Sequence, residues 1–347
     1  MLAPFSTRLL TWFDNHGRKD LPWQHDISPY HVWLSEIMLQ QTQVATVIDY
    51  YKRFISHYGD ITALANAQLD DVLALWTGLG YYARARNLHK AAQIMRDQYQ
   101  SEMPNTLDAL IALPGIGRST AGAIMALAHQ QRHPILDGNV KRVLTRYAAI
   151  SEWPGHRAIE QQLWQLAEDL LPETRIEHYI QAQMDLGATI CKRSKPLCQH
   201  CPLQEDCKAF ASDDTTKYPG TKPKKKIPTR QIHWLIARAD NGSILLEQRP
   251  NSGIWGGLWS FPEFNSAKEL TAFSQQYLTS NNTNIEIKNT IRHVFTHFKL
   301  DILPYLVHSS VYVQQIDNIN SFSWYTINDA LRLGLPAPVK AFLKLLE

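Results

Sequence analysis

The apolar period of this chain changes once, across residues 211–228, a stretch that has no period of its own. Before it, apolar side chains recur at helical spacing, as in Val32, Trp33, Ile37 and Met38, in Leu69, Val72, Leu73 and Trp76, and in Ile159, Leu163, Leu166 and Leu170. Breakers at Gly78, Gly80, Pro104, Pro114, Gly115, Pro134, Gly138 and Pro172 cut this region into many short helices. Residues 211–228 hold three prolines and five lysines against two aspartates, and read as a linker: a solvated spacer, or one that also touches phosphates. Beyond it the period becomes two. Runs at 231–238 and 243–248 are strand-like and meet at Asp240-Asn241-Gly242, a hairpin signal. Further strands are expected at 285–288, 291–306 and 323–326, with a closing helix at 339–346. The chain is therefore multidomain: an all-α domain over 1–210, a linker over 211–228 and an α+β domain over 229–347, each long enough for its own core.

Charge narrows the function less than the period narrows the fold. The net charge is +3, yet residues 1–210 carry 20 Lys/Arg against 21 Asp/Glu and residues 229–347 carry 10 against 9. The surplus sits in the linker, so any case for a nucleic-acid partner must come from local sites. The longest apolar run, residues 121–128, is far short of a membrane span, and the first eight residues lack the pattern of a secretory leader. The expectation is a soluble cytoplasmic chain with no membrane partner.

The most informative segment is Leu113-Pro-Gly115-Ile-Gly117-Arg-Ser119-Thr120. A helix ends, two glycines make a tight turn, and Ser/Thr open the next helix, giving a hairpin at about 107–129. Glycine lets backbone N–H groups approach an anion, and the following helix N-terminus adds its positive end. Such a turn grips a phosphate without reading bases. Gly-x-Gly alone is most often an ordinary helix–helix turn; the longer string is more specific. Twenty residues past Gly117 stands Asp137, before Gly138 and Asn139, where a helix N-cap is the ordinary reading. Glu36 lies among Val32, Trp33, Leu34, Ile37 and Met38; an apolar setting raises a carboxyl's pKa and makes a general acid possible, although an exposed helical Glu is the plainer alternative. Cys191, Cys198, Cys201 and Cys207 place four thiols within 17 residues. That set serves zinc or an iron–sulfur cluster, and only one of its pairs has the short spacing that zinc sites usually repeat.

The hairpin, the later Asp137 and the cysteine spacing together resemble the endonuclease III branch of the helix-hairpin-helix DNA glycosylases. Within that branch the chain is similar to the adenine-specific, MutY-type glycosylases, nearly end to end. The stretches that carry the likeness are 33–43 (Trp-Leu-Ser-Glu-Ile-Met-Leu-Gln-Gln-Thr-Gln), 78–87 (Gly-Leu-Gly-Tyr-Tyr-Ala-Arg-Ala-Arg-Asn) and 185–191 (Asp-Leu-Gly-Ala-Thr-Ile-Cys). The resemblance implies a base-excision enzyme acting on double-stranded DNA that carries adenine opposite 8-oxoguanine or guanine. It implies Glu36 as the acid, Asp137 as stabiliser of the sugar cation, and Asn139 as support. Trp23 and Gln181 are implied to line the adenine pocket, Gln41 and Thr42 to probe the orphaned partner base, and Tyr81 to wedge into the stack. Leu113, Gly115 and Gly117 are implied to hold the phosphate. Ser119 stands where strand-cutting relatives carry a lysine, which implies base removal without lyase chemistry; Lys141 remains a nearby amine that could trap product. The 6-2-5 cysteine spacing implies a [4Fe–4S] loop over 191–207, with Lys192, Arg193, Lys195 and Lys208 turned to phosphates.

The second domain resembles Nudix hydrolases at 256–263 (Gly-Gly-Leu-Trp-Ser-Phe-Pro-Glu), but the acidic metal-binding box that should follow is absent from 265–275. A base-recognition domain is implied, in which Thr296 and His297 contact the oxidised guanine; Thr296 stands where the family usually has Ser. The expected whole is a monomeric adenine DNA glycosylase that works at the nucleoid. A pyrimidine glycosylase/lyase or a silent mismatch-binding protein are the alternatives.

Overall fold

The computed structural model describes residues 2–223, 227–278, 285–309 and 321–347; linker residues 224–226 lie outside the described residues. The chain forms two compact units. One comprises Met1–Asn66 and Asn87–Lys224, the other Ala67–Arg86 and Lys225–Glu347. The grouping of residues 67–86 with the C-terminal unit is not foreshadowed by the helical period they share with their neighbours.

The first unit is helical: α1 (Phe5–His16), α2 (Pro29–Leu39), α3 (Val44–His57) and α4 (Ile61–Asn66) precede the excursion of α5 (Leu69–Trp76) into the other unit. It resumes along α6 (Ala83–Gln98) and continues through α7 (Leu107–Ile111), α8 (Arg118–His129), α9 (Gly138–Ala148), α10 (Arg157–Asp169), α11 (Ile176–Asp185) and α12 (Lys208–Ala211). Its core joins Leu9, Ala123, Val140, Leu144, Leu163 and Tyr179. Helix α2 starts cleanly because Ser28 caps it, its hydroxyl accepting the His31 N–H at 3.2 Å, and Pro29 follows at the first helical position. Seven of its residues are buried, which places the helix inside the unit. Among the described residues no helix is long and apolar enough to cross a membrane.

The expected hairpin is present as α7, a turn and α8. Leu113 and Ile116 are buried and anchor the turn from within, while Gly115 and Gly117 are exposed. Gly115 needs its glycine twice over: φ is +81°, and a Cβ would come 2.9 Å from that of Asn87. The first part of 211–228 is packed. Tyr218 is buried, and the Arg146 guanidinium donates to the carbonyls of Thr215 at 3.1 Å and Tyr218 at 3.0 Å.

In the second unit β1 (Thr229–Ala239) and β2 (Ile244–Gln248) form the expected hairpin, with Gly242 at φ +83° in its turn. β3 (Trp259–Ser260), β4 (Glu263–Phe264), β5 (Ile285–Ile287), β6 (Ile291–Val294), β7 (Lys299–Ser309) and β8 (Phe322–Tyr325) complete one sheet, whose path runs β3-β2-β1-β7-β5. β1 and β7 pair in parallel from Thr229↔Lys299 to Ala239↔Ser309, and the other ladders are antiparallel. Helix α13 (Ala267–Tyr277) occupies the stretch where the acidic box was sought; a closing helix spans Ala337–Leu345.

One close approach in the first unit is testable. A Cβ on Gly122 of α8 would lie 2.4 Å from the Pro134 carbonyl oxygen, in a fully buried setting. Gly122→Ala is expected to destabilise the protein by about 1–3 kcal/mol, as overpacking does, read as a lower urea midpoint at unchanged slope.

Candidate active site

A cavity of about 610 Å³ opens within the helical unit, and Trp23, Glu36, Gln41, Thr42, Ser119, Asp137, Asn139 and Gln181 all line it. Eight residues singled out in the sequence thus share one space. Leu113, Gly115 and Gly117 do not line it; they form the hairpin turn. Tyr81, Thr296 and His297 belong to the other unit.

Segments flanking the hairpin build the acidic part of the site. The Ser119 hydroxyl accepts the Leu136 N–H at 3.0 Å, tying the second hairpin helix to the strand-like run that ends at Asp137. Asp137 is a helix N-cap, as the plain reading had it, and also faces the cavity. Its Oδ1 accepts the Val140 N–H at 2.7 Å. Burial raises its pKa, opposed by the N–H groups of Val140 and Asn139 and by Arg142 and Lys141. Glu36 is half-buried on α2. Burial pushes its carboxyl up to about 8, with the nearby Asp137 carboxylate adding to the rise. Two carboxyls therefore share a cavity in unlike settings: donors and cations support the anion of Asp137, whereas what acts on Glu36 favours its acid form.

Residues that the sequence reading did not assign hold this arrangement. Asn139 Oδ1 accepts from Arg142 Nη2 at 2.8 Å; the same guanidinium donates to the carbonyls of Gly187 and Cys191, each at 2.7 Å. Gln181 Nε2 donates to Asp185 Oδ1 at 2.9 Å, and the wholly buried Asp185 takes three further bonds from Arg18, through its backbone N–H at 2.7 Å and its guanidinium at 2.9 and 2.6 Å. Asp185 opens the 185–191 stretch and Arg142 follows Asn139 by three residues, yet neither has a role in the sequence reading. In sequence Asp185 is one more acid at a helix end, and it acquires meaning only once Arg18 is beside it.

Beyond the cavity, Gln41 sits just past α2 at φ +57°, exposed, and not on a helix face. Tyr81 is likewise exposed (49%) at φ +50°, in the turn after α5, and is not core. Thr296 and His297 occupy the exposed turn between β6 and β7, so His297 is no buried strand histidine. Cys191, Cys198, Cys201 and Cys207 line a second, small cavity of about 30 Å³ with Val143, Leu186, Ile190, Leu203 and Phe210. None is in a disulfide. Burial pushes Cys201 up to about 12 and raises Cys198 and Cys207, each further raised by neighbouring cysteines. Arg146 Nη1 donates to Cys191 Sγ at 3.3 Å. Among the described residues no three His, Cys, Asp or Glu form a group that could hold a single metal ion.

Fold and cavity define a helix-hairpin-helix repair protein with an appended Nudix domain. Residues 34–169 match the family described as HhH-GPD superfamily base excision DNA repair protein, and residues 233–345 match the NUDIX domain. A thermostable thymine-DNA glycosylase is similar over 60% of this chain and 95% of its own, at 28% identity and a TM-score of 0.55. Endonuclease III in a non-covalent DNA complex, at 22% identity and a TM-score of 0.52, shares the fold over 60% of this chain and 94% of its own. The adenine DNA glycosylase of Buchnera aphidicola (subsp. Schizaphis graminum) is 40% identical over 99% of both chains; that of Rattus norvegicus is 33% identical over 100% of this chain and 78% of its own. The chain belongs to the adenine DNA glycosylase family.

The raised Glu36 pKa has a consequence for stability. A carboxyl whose folded pKa (about 8) exceeds its ordinary 4.5 contributes stability that is complete below 4.5 and lost as pH rises through about 8. Glu36→Gln, which cannot ionise, is expected to unfold at a higher temperature than the parent at pH 8.5, by on the order of 1 kcal/mol or more, and to match it near pH 4. Equal melting differences at both values would contradict the shift.

Proposed function

We propose that the chain is a monofunctional glycosylase that hydrolyses the N-glycosidic bond of adenine paired with 8-oxoguanine, and of adenine paired with guanine more slowly, leaving an abasic site. The observation that carries this reading is the single cavity in which Glu36 and Asp137 stand in unlike surroundings beside Gln181 and Trp23. Adenine is a poor leaving group until protonated, and it must first leave the stack, at a cost of a few kcal/mol. Glu36, acid near neutral pH, gives its proton to a ring nitrogen of the flipped base, for which N7 is the natural choice. As the carboxylate it then helps deliver water. Asp137 stabilises the oxocarbenium-like sugar, by charge or through a transient covalent bond, following the two-carboxylate logic of glycosidases. Asn139, pinned by Arg142, keeps the loop in place. Because Gln181 Nε2 is committed to Asp185, its Oε1 is left to accept from an amino group such as that of adenine.

The remaining residues take the DNA. The exposed backbone at Gly115 and Gly117, above buried Leu113, holds a phosphate. Gln41 with Thr42 probes the orphaned partner base, and Tyr81 wedges into the stack. Both Gln41 and Tyr81 are exposed in left-handed conformations, a strain that functional turns often carry. Thr296 and His297 read the oxidised guanine. The chain works as a monomer inside the cell, on the nucleoid. Absence of lyase chemistry follows from Ser119, which has no amine and whose hydroxyl already serves Leu136; Lys141, the nearest alternative in sequence, is paired with Glu160 at 2.6 Å.

The four cysteines fit a [4Fe–4S] cluster: unbridged thiols round one apolar-walled cavity, with Arg146 facing the charge their thiolates would carry. When bound, the cluster supplies a rigid scaffold for the 191–207 loop and no redox step in base removal. Lys192, Arg193, Lys195 and Lys208 then meet phosphates.

Single-turnover cleavage of duplexes carrying A opposite 8-oxoguanine, G, C or T, quenched with and without alkali, tests the reading. Excision confined to the first two, with strand breaks mainly after alkali, is expected; breaks without alkali would reinstate a lyase. Glu36→Gln should lower the excision rate by about 10²–10⁴ while keeping duplex affinity. Because the acid form is the active one, the parent rate should fall as pH rises through about 8. Intact excision by Glu36→Gln would remove Glu36 as the acid. For the cluster, iron and acid-labile sulfide assays of the purified protein should each find about four per chain, and zinc in their place would overturn it.

A further inference from the structure

We propose that Arg86 is a positioning residue that couples the exposed 296–297 turn to the Tyr81 turn, so that what the sheet domain touches sets how the wedge is held. This rests on the reading above, in which His297 reads the lesion and Tyr81 enters the stack.

The contacts form an unbroken path inside the second unit. The turn between β6 and β7 is closed by the Phe295 N–H donating to the Phe298 carbonyl at 2.9 Å, with Thr296 and His297 at its tip. Beneath the tip, the Phe295 ring stacks on Phe298 at 4.6 Å and packs on Trp255 at 5.4 Å. His293 lies 5.5 Å from the same indole. Trp255 is buried and held at φ +54°, a conformation that a bulky residue keeps only under constraint. The next residue, Gly256, accepts from Arg86 Nη1 at 2.7 Å. Gly257 follows at φ +75°, where a Cβ would come 3.2 Å from Leu73 Cδ1, so this turn is shaped to receive α5 and the start of α6.

The far end of the path is the Tyr81 turn itself. Arg86 stands five residues after Tyr81, in the first turn of α6. Between them, Tyr82 donates its hydroxyl to the Leu335 carbonyl at 2.8 Å, and Arg84 donates to the carbonyls of Leu79 at 3.2 Å and Gly80 at 3.0 Å while lying over the Tyr81 ring at 5.6 Å. Arg84 therefore braces the turn from within. Arg86 takes the carbonyl that adjoins Trp255, the residue on which the ring beneath the tip packs. A displacement of Phe295 is felt at Trp255, and through Gly256 at the root of the wedge. Close-packed rings and a charge-assisted hydrogen bond transmit such shifts because neither has slack to absorb them.

The test uses the full-length, cluster-loaded protein and reads the ratio of single-turnover excision rates for A opposite 8-oxoguanine and A opposite G. Arg86→Gln is expected to lower that ratio by about fivefold or more, with the A:G rate changed by less than about twofold; Arg86→Lys, which still donates, restores most of it. His297→Ala also lowers the ratio, and the Arg86→Gln/His297→Ala double variant falls no further than the larger single effect. Equal loss on both duplexes, or multiplicative effects in the double variant, overturns the coupling alone. An unchanged ratio for His297→Ala overturns the reading of the tip and the coupling with it. Should Arg86→Gln fail to fold, Phe295→Leu breaks the path at its other end and carries the same expectations.

Discussion

The seat that α8 provides for residues 134–138 is the constraint on which the site depends. Gly122 admits the Pro134 carbonyl, Ile135 and Leu136 turn into the core, and the Ser119 hydroxyl accepts the Leu136 N–H. The chain then has one course left, and Asp137 emerges where it caps α9 and faces the cavity at once. A single helix thereby serves two purposes. Its N-terminus carries the glycine turn proposed for phosphate, and its body holds the loop bearing the carboxylate. A lysine at 119 would bring an amine, but it would also remove the oxygen that satisfies Leu136, so exchanging Ser for Lys here changes the loop as well as the chemistry.

Two carboxyls in one cavity would ordinarily resist joint ionisation, and both are raised by burial. What separates them is backbone geometry. A cap position comes with N–H donors already aimed at the side chain, and Asp137 holds that position; Glu36, in the middle of α2, has a helix whose own N–H groups are already spent. The difference in what supports each charge therefore arises from where each residue sits in its helix. The pair formed by buried Asp185 and partly exposed Arg18 orders Gln181 through side-chain contacts. Four donated bonds saturate the aspartate, and the carboxamide is orientated as a result.

What the sequence makes legible is local. The helical and strand periods, the 240–242 turn, the hairpin and the Asp137 cap all depend on residues within a few positions of one another, and these expectations match the elements seen. Six of the eight cavity residues fall in short, recognisable stretches, whereas Trp23 and Gln181 could be named only through the family resemblance. Pairings at long range left no such mark. Arg18 and Asp185 are 167 positions apart, and each alone reads as a solvated charge. Lysines and prolines hid the packing of Tyr218, since composition averages over a segment in which one aromatic decides. Residues 67–86 read as one more stretch of short helix. Nothing in their period announces that Asp70 accepts from Gln248 at 2.7 Å, or that Leu73 meets Gly257.

The C-terminal unit has the Nudix match, and its few acids near α13 already have partners. Helix α13 has one acid, Glu269, and it is occupied: its carboxylate accepts the Asn265 N–H at 3.2 Å while the Ser266 hydroxyl accepts the Glu269 N–H as the N-cap. Glu263 pairs with Arg249 at 2.7 Å. One of these carboxylates thus holds backbone and the other a guanidinium. The Gly256-Gly257 turn, which in sequence looked like the prelude to a metal box, instead offers a carbonyl to Arg86 and room to Leu73. Once a turn needs only backbone groups and the absence of side chains, no metal is required to keep it. A sheet that presents such a turn can hold a neighbouring segment through backbone groups alone.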